Sequence, residues 1–138
     1  MAKRVLTNCK VLINSVDRSD HVSKVEVEDT FEDKDTTTYG SSGKKERLAG
    51  LEDGNCGITF LNDFAGGDLD SAMWALRGTL TTISVWKDKD SVVSSANPRY
   101  TASILINSWK PLSGSVGDVA TVDVTFPVSG GWARYSTT

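Results

Sequence analysis

The apolar positions of the chain recur with a period of two along most of its length. Cys9, Val11 and Ile13 alternate with Lys10, Leu12 and Asn14, and the run ends in Asp17-Arg18-Ser19-Asp20, which has the composition of a turn. Val25, Val27 and Phe31 then alternate with Lys24, Glu26 and Glu28, predicting a strand with one apolar and one acidic face. Cys56, Ile58 and Phe60 alternate with Gly57, Thr59 and Leu61, a strand entered through Asp53-Gly54 and left through Asn62-Asp63. Further strands are predicted over 80–87, 99–109 and 118–128. In the last, Ala120, Val122, Val124, Phe126 and Val128 share one face. Gly130-Gly131 then predicts a tight reversal into Trp132-Ala133-Arg134-Tyr135, a C-terminal hairpin.

Two segments break this period. Over about 68–77, Leu69, Ala72, Met73 and Leu76 form an apolar stripe at helical spacing. Asp68 is placed to cap that helix, Asp70 lies in its first turn, Arg77 in its last, and Gly78 can take the left-handed stop. Over about 34–47 the run KDTTTYGSSGKKER is polar throughout and longer than an ordinary hairpin connection. A long loop in a small domain points to contact with another molecule. The expected class is mainly β: an antiparallel β-sandwich or barrel with one short flanking α-helix.

Composition fits one domain spanning 1–138, since 138 residues with 38% hydrophobic content can bury a core without staples. A net charge of -3 with both signs scattered excludes a basic protein that lives on nucleic acid or anionic lipid. Cys9 and Cys56 allow at most one bridge, which is no disulfide framework. No stretch reads as a signal peptide or approaches a transmembrane span, so no membrane partner is expected and synthesis in a cytoplasm is.

Candidate chemistry is sparse. The chain has one histidine, His21, on which any Ser-His-Asp triad, Cys-His pair or histidine-based zinc site would depend, and it sits in a polar turn. GSSGKK fails as a phosphate loop, because Thr38 stands where a glycine is needed and Lys45 where Ser or Thr is. The stretch GLEDGNCGITFLNDFAGG at 50–67 suggests a calcium loop, yet counting from Asp53 puts Gly57 at a ligand position, Ile58 at the turn glycine and Phe64 at the bidentate glutamate. Turn and capping roles account for Asp63, Asp68 and Asp70 without acid–base work. Trp74, Trp86, Trp109 and Trp132 with Tyr100 fit either a sugar platform or a core and interface. No catalytic residue, metal or cofactor is assigned, and the protein is not expected to be an enzyme.

The segments RLAGLEDGNCGITFLNDFAGGDLDSAMWALRG (47–78) and ANPRYTASILINSWKPLSGSVGDVATVDVTFPVSG (96–130) resemble the tail tube, or major tail, proteins of long-tailed (siphophage-type) bacteriophages. The likeness lies in the order Gly-Leu before a strand, an Asp-Phe-Ala helix entry, an Asn-Pro-x-Tyr strand start and a Gly-Ser-Val-Gly-Asp turn before the last strand. The resemblance implies a subunit of sixfold rings that stack into the hollow tail tube, a homo-oligomer built in the host cytoplasm and resident in the virion tail. Its implied partners are copies of itself, the tape-measure, tail-terminator and tail-tip proteins, and viral DNA passing through the lumen without specific binding.

It also implies that the 34–47 loop reaches an adjacent ring, which makes Thr36, Thr37, Thr38, Tyr39, Ser41, Ser42, Lys44, Lys45 and Arg47 candidate contacts. Glu26 and Glu28, with Asp29 and Glu32 as further members of an acidic face, are candidate lumen residues, because an acidic wall repels phosphates and lets a duplex slide. Two other classes fit the same strand pattern: a further virion β-sandwich such as a capsid decoration protein, and a carbohydrate-binding module.

Overall fold

The structure, a computed structural model, describes residues 5–64 and 69–136. Its elements in chain order are β1 (Lys10–Ile13), β2 (Val16–Asp17), β3 (Val22–Asp35), β4 (Arg47–Leu61), α1 (Leu69–Ala75), β5 (Leu80–Trp86), β6 (Arg99–Leu105) and β7 (Thr121–Tyr135). All seven strands form one antiparallel sheet in the order β2-β1-β5-β6-β7-β4-β3, so the predicted β class takes its single-sheet form.

The alternation read from the sequence sets which side of this sheet is buried. Val122, Val124, Phe126 and Val128 of β7 meet Phe60, Ile58, Cys56 and Gly54 of β4 across the ladder, and all are buried. Ile83 and Val85 of β5, Ala102 and Ile104 of β6, and Val11 and Ile13 of β1 join the same core. Residues from both ends of the strand order also line one cleft of about 330 Å³, Cys9 and Val11 on one wall and Val22 to Val25 on the other. The sheet therefore curls until its β1 and β3 sides nearly meet, which places one face around the core and leaves the other face outside.

Helix α1 covers one end of this curl with Leu69 and Met73 fully buried, and Leu76 packs beside them. Gly78 takes the left-handed conformation expected of it, at φ +78°, but α1 ends at Ala75, so Arg77 lies beyond its last turn rather than within it. Asp70 also fastens the helix: its carboxylate accepts hydrogen bonds from Trp109 Nε1 at 3.1 Å and Asn62 Nδ2 at 3.3 Å. Trp109 in turn stands edge-on to Phe60, with ring centroids 5.4 Å apart. The expected cap Asp68 lies outside the described residues.

Three expectations are corrected. Asp53-Gly54 is not a strand entry, because β4 runs through it without interruption. A Cβ on Gly54 would lie 3.0 Å from both the Glu28 carbonyl oxygen and the Trp132 ring, so this glycine permits a close approach rather than a turn. Gly130-Gly131 is not a hairpin. Here β7 continues to Tyr135 along β6, and the two glycines, at φ +86° and +78°, fill a bulge between the pairs Ser103↔Ser129 and Thr101↔Ala133. The Asp17–Asp20 stretch turns as expected, through Ser19 N–H donating to Asp17 Oδ1 at 2.9 Å and a 3-10 turn over Ser19–His21, and a further reversal precedes it at Asn14-Ser15, both at positive φ. The 34–47 loop is shorter than expected, since Asp35 pairs with Arg47 and only residues 36–46 connect the strands.

No disulfide joins Cys9 and Cys56. Burial pushes the Cys56 thiol up to about 12, which leaves it protonated and inert at neutral pH.

Candidate functional site

Pairing between β4 and β7 ends at Gly54↔Val128, whereas β3 and β4 stay paired for many residues more, to Asp35↔Arg47. The result is a free two-stranded arm of residues 29–35 and 47–53, joined through a tip at 36–46. At about 3.3 Å per residue its seven-residue strands extend for about 23 Å. Two isolated strands are marginal in water; Arg47 with Asp33 and Lys45 with Asp35 at 3.5 Å bridge this pair, while Lys34 meets Glu32 at 2.9 Å within β3.

The tip is ordered by its own side chains. Thr38 and Ser41 cap a short 3-10 turn over Tyr39–Ser41, and Thr37 exchanges hydrogen bonds with the backbone of Glu46. Thr36 donates its backbone N–H to the Glu46 carbonyl. Hydrogen bonds from Thr37 hold the Asp35 carboxyl below its ordinary value. The candidate contacts therefore divide. Thr36, Thr37, Thr38, Ser42 (φ +55°) and the buried Ser41 shape the tip, Arg47 braces the arm, and Tyr39, Lys44 and Lys45 face outward, Tyr39 being wholly exposed.

The structure adds three residues to that set. Phe31 is 58% exposed, Leu48 64% and Leu51 74%, all on the arm. Phe31 shares the inward face of Val25 and Val27, but the arm carries it past the end of the core. Leu48 and Leu51 are the only large apolar side chains in RLAGLED, and their isolation in a polar stretch is the sequence signal for them.

A second surface is the outer face of the curled sheet. Glu26 and Glu28 lie there with Lys24, Asn55, Gly57, Thr59, Asp123 and Thr125, around a shallow depression of about 130 Å³. Three carboxylates face one ammonium among these residues. The face continues over β6 and β5 with short hydroxyl side chains, Ser84 and Thr101 being 3.1 Å apart. Glu32 points to this side with Lys34, as expected for the acidic face. Asp29 does not: it has the parity of Val27 and lines a groove with Trp132, Tyr100 and Arg134 on the other side.

The remaining candidates are structural. His21 Nε2 lies 3.2 Å from Asp63 Oδ2 at the foot of β3, and no group of three His, Cys, Asp or Glu among the described residues is arranged to hold a metal. Trp109 lies in the core beside Phe60 and Asp70, and Trp132 packs on the core's edge beside Gly54 and Tyr100, so these tryptophans form no shared platform. Trp74 is half exposed beneath the Arg77 guanidinium, which sits 3.5 Å from its ring centre.

No family model and no curated protein matches the chain. Among solved structures, a chain of the virion of a native gene transfer agent particle superimposes with a TM-score of 0.62 at 13% identity, over 83% of this chain and 84% of that one. A chain of the tail of an empty gene transfer agent particle, refined with C6 symmetry, gives 0.59 at 16% identity over 86% and 83%. At these identities the shared property is the fold.

Proposed function

We propose that this protein is a structural subunit of a phage-type tail tube, acting through assembly rather than catalysis. The observation that carries this reading is the β3–β4 arm, which exposes Phe31, Tyr39, Leu48 and Leu51 and gains nothing by doing so on a single molecule. The fold is that of a chain in a tail with C6 symmetry, which supports sixfold rings of this chain as well.

In this reading β3, whose 14 residues have β4 on one side only, meets a ring neighbour, so that six sheets line one channel and no long edge stays open. The outer face with Glu26 and Glu28 is the lumen wall. It offers passing DNA hydroxyls and carboxylates with a single lysine, so phosphates find little to hold them. The protein belongs to the virion tail, assembles in the host cytoplasm, and meets the tape-measure, tail-terminator and tail-tip proteins at the lumen and the two tube ends. Negative-stain images of the purified protein at high concentration test this directly. Hollow rods or sixfold rings are expected, and a population of single particles without either would overturn it.

A further inference from the structure

At the arm end of the curl, side chains from three strands line a groove of about 470 Å³: Val27 and Asp29 of β3, Tyr100 of β6, and Trp132, Ala133 and Arg134 of β7. β4 lies between β3 and β7 in the sheet, so it is the curl that brings these side chains together. The mouths of such sheets are common seats for small ligands, whose pockets measure about 300–1,000 Å³. None of these residues has a part in the tube-subunit reading. Their positions are set before any ligand arrives. The Trp132 ring is wedged against the β4 backbone, its Cδ1 only 3.0 Å from where a Cβ on Gly54 would lie. Arg134 Nε donates to Tyr100 Oη at 3.4 Å, and the guanidinium forms no other hydrogen bond or ion pair among the described residues. The Asp29 carboxyl is held by a hydrogen bond with that of Glu52. A groove fixed in this way loses little freedom when it is filled.

We propose that this groove binds a neutral saccharide, one sugar ring lying against Trp132 and Tyr100 with its hydroxyls bonded to Asp29 and Arg134. The lining selects this class by what each other class would meet. An anion would face Asp29 and Glu52, and a cation would face Arg134. A wholly apolar molecule would strip water from a carboxylate and a guanidinium and return no hydrogen bond to either. A sugar ring carries no charge, lays its C–H bonds on the negative face of an aromatic ring, and ends in neighbouring hydroxyls that are donors and acceptors together. A carboxylate accepts from such a pair and a guanidinium fork donates to it. Of the aromatic residues that fit a sugar platform by type, the groove thus uses one pair, Trp132 and Tyr100.

The groove is complete within one chain, so its test is independent of tube formation. Tryptophan fluorescence of dilute protein is followed as maltotriose, cellotriose and triacetylchitotriose are each added to millimolar concentration, and calorimetry gives the affinity. A saturable change with at least one of these sugars is expected. Asp29→Asn and Arg134→Met, both at exposed positions where the fold tolerates change, should each weaken binding about tenfold, the loss of one hydrogen bond to a charged group. Trp132→Phe should remove the fluorescence change. The absence of a saturable signal with all the sugars, or an affinity left unchanged by Asp29→Asn and Arg134→Met, would overturn the site whether or not the protein forms rings.

Discussion

At the scale of single residues, the base of the arm holds two glycines, Gly54 and Gly131, whose neighbours leave no room for a side chain. Gly54 lies against Trp132 and the Glu28 carbonyl, and a Cβ on Gly131 would come within 2.7 Å of Glu52 Oε1. Glu52 sits diagonally across the ladder from Asp29, and a hydrogen bond with that second carboxyl, followed by desolvation, raises the Glu52 carboxyl above its ordinary value of 4.5. A raised folded-state value means that the stabilising contribution is complete below pH 4.5 and is lost as pH rises through the shifted value. Glu52→Gln removes that loss. Thermal unfolding of the variant and the unaltered protein from acid to neutral pH should show a difference in Tm that widens in favour of the variant as pH rises. A difference that shrinks with pH would mean that the two carboxyls do not oppose each other.

At the scale of elements, legibility followed burial. β7 and the inner half of β4 were readable because one side of each strand faces the core, so Val122 to Val128 and Cys56 to Phe60 had to alternate. The arm was hidden for the converse reason. Asp33, Lys34 and Asp35 pair with Ala49, Leu48 and Arg47 outside the core, and a ladder that buries nothing leaves no periodic trace. Gly130-Gly131 was ambiguous on its own, since positive φ serves hairpins and bulges equally, and β6 continuing alongside as a partner decides between them. The tip can be tested as a unit. Replacing residues 36–45 by Asn-Gly should leave the fold intact, with a stability change within about 1 kcal/mol because loop length enters only logarithmically, while long tubes no longer form. Normal polymerisation of this variant, seen by electron microscopy or sedimentation, would show that the tip takes no part in assembly.

At the scale of the whole molecule, the curl of one sheet separates a core inside, a polar face outside and an arm at one end. The outer face is the part read most directly from sequence, because Glu26 and Glu28 alternate with Val25 and Val27. Both glutamates are exposed, so Glu26→Lys with Glu28→Lys should change stability by less than about 0.5 kcal/mol and leave tubes intact. DNA release from particles carrying the double variant should slow, and more so at low salt. Release at the original rate would argue against this face as the lumen.

The strict alternation of β7 has a further consequence, in the kind of change the chain can absorb over generations. One residue inserted or lost between 121 and 128 would exchange the two sides of the strand, sending Val122, Val124, Phe126 and Val128 outward and Asp123 and Thr125 into the core. Insertions at the 36–46 tip or in the connection between β6 and β7 invert nothing. Substitutions can therefore accumulate on every outward position of the strand, but its length is fixed, and variation in length among descendants of this chain falls in the connections between strands.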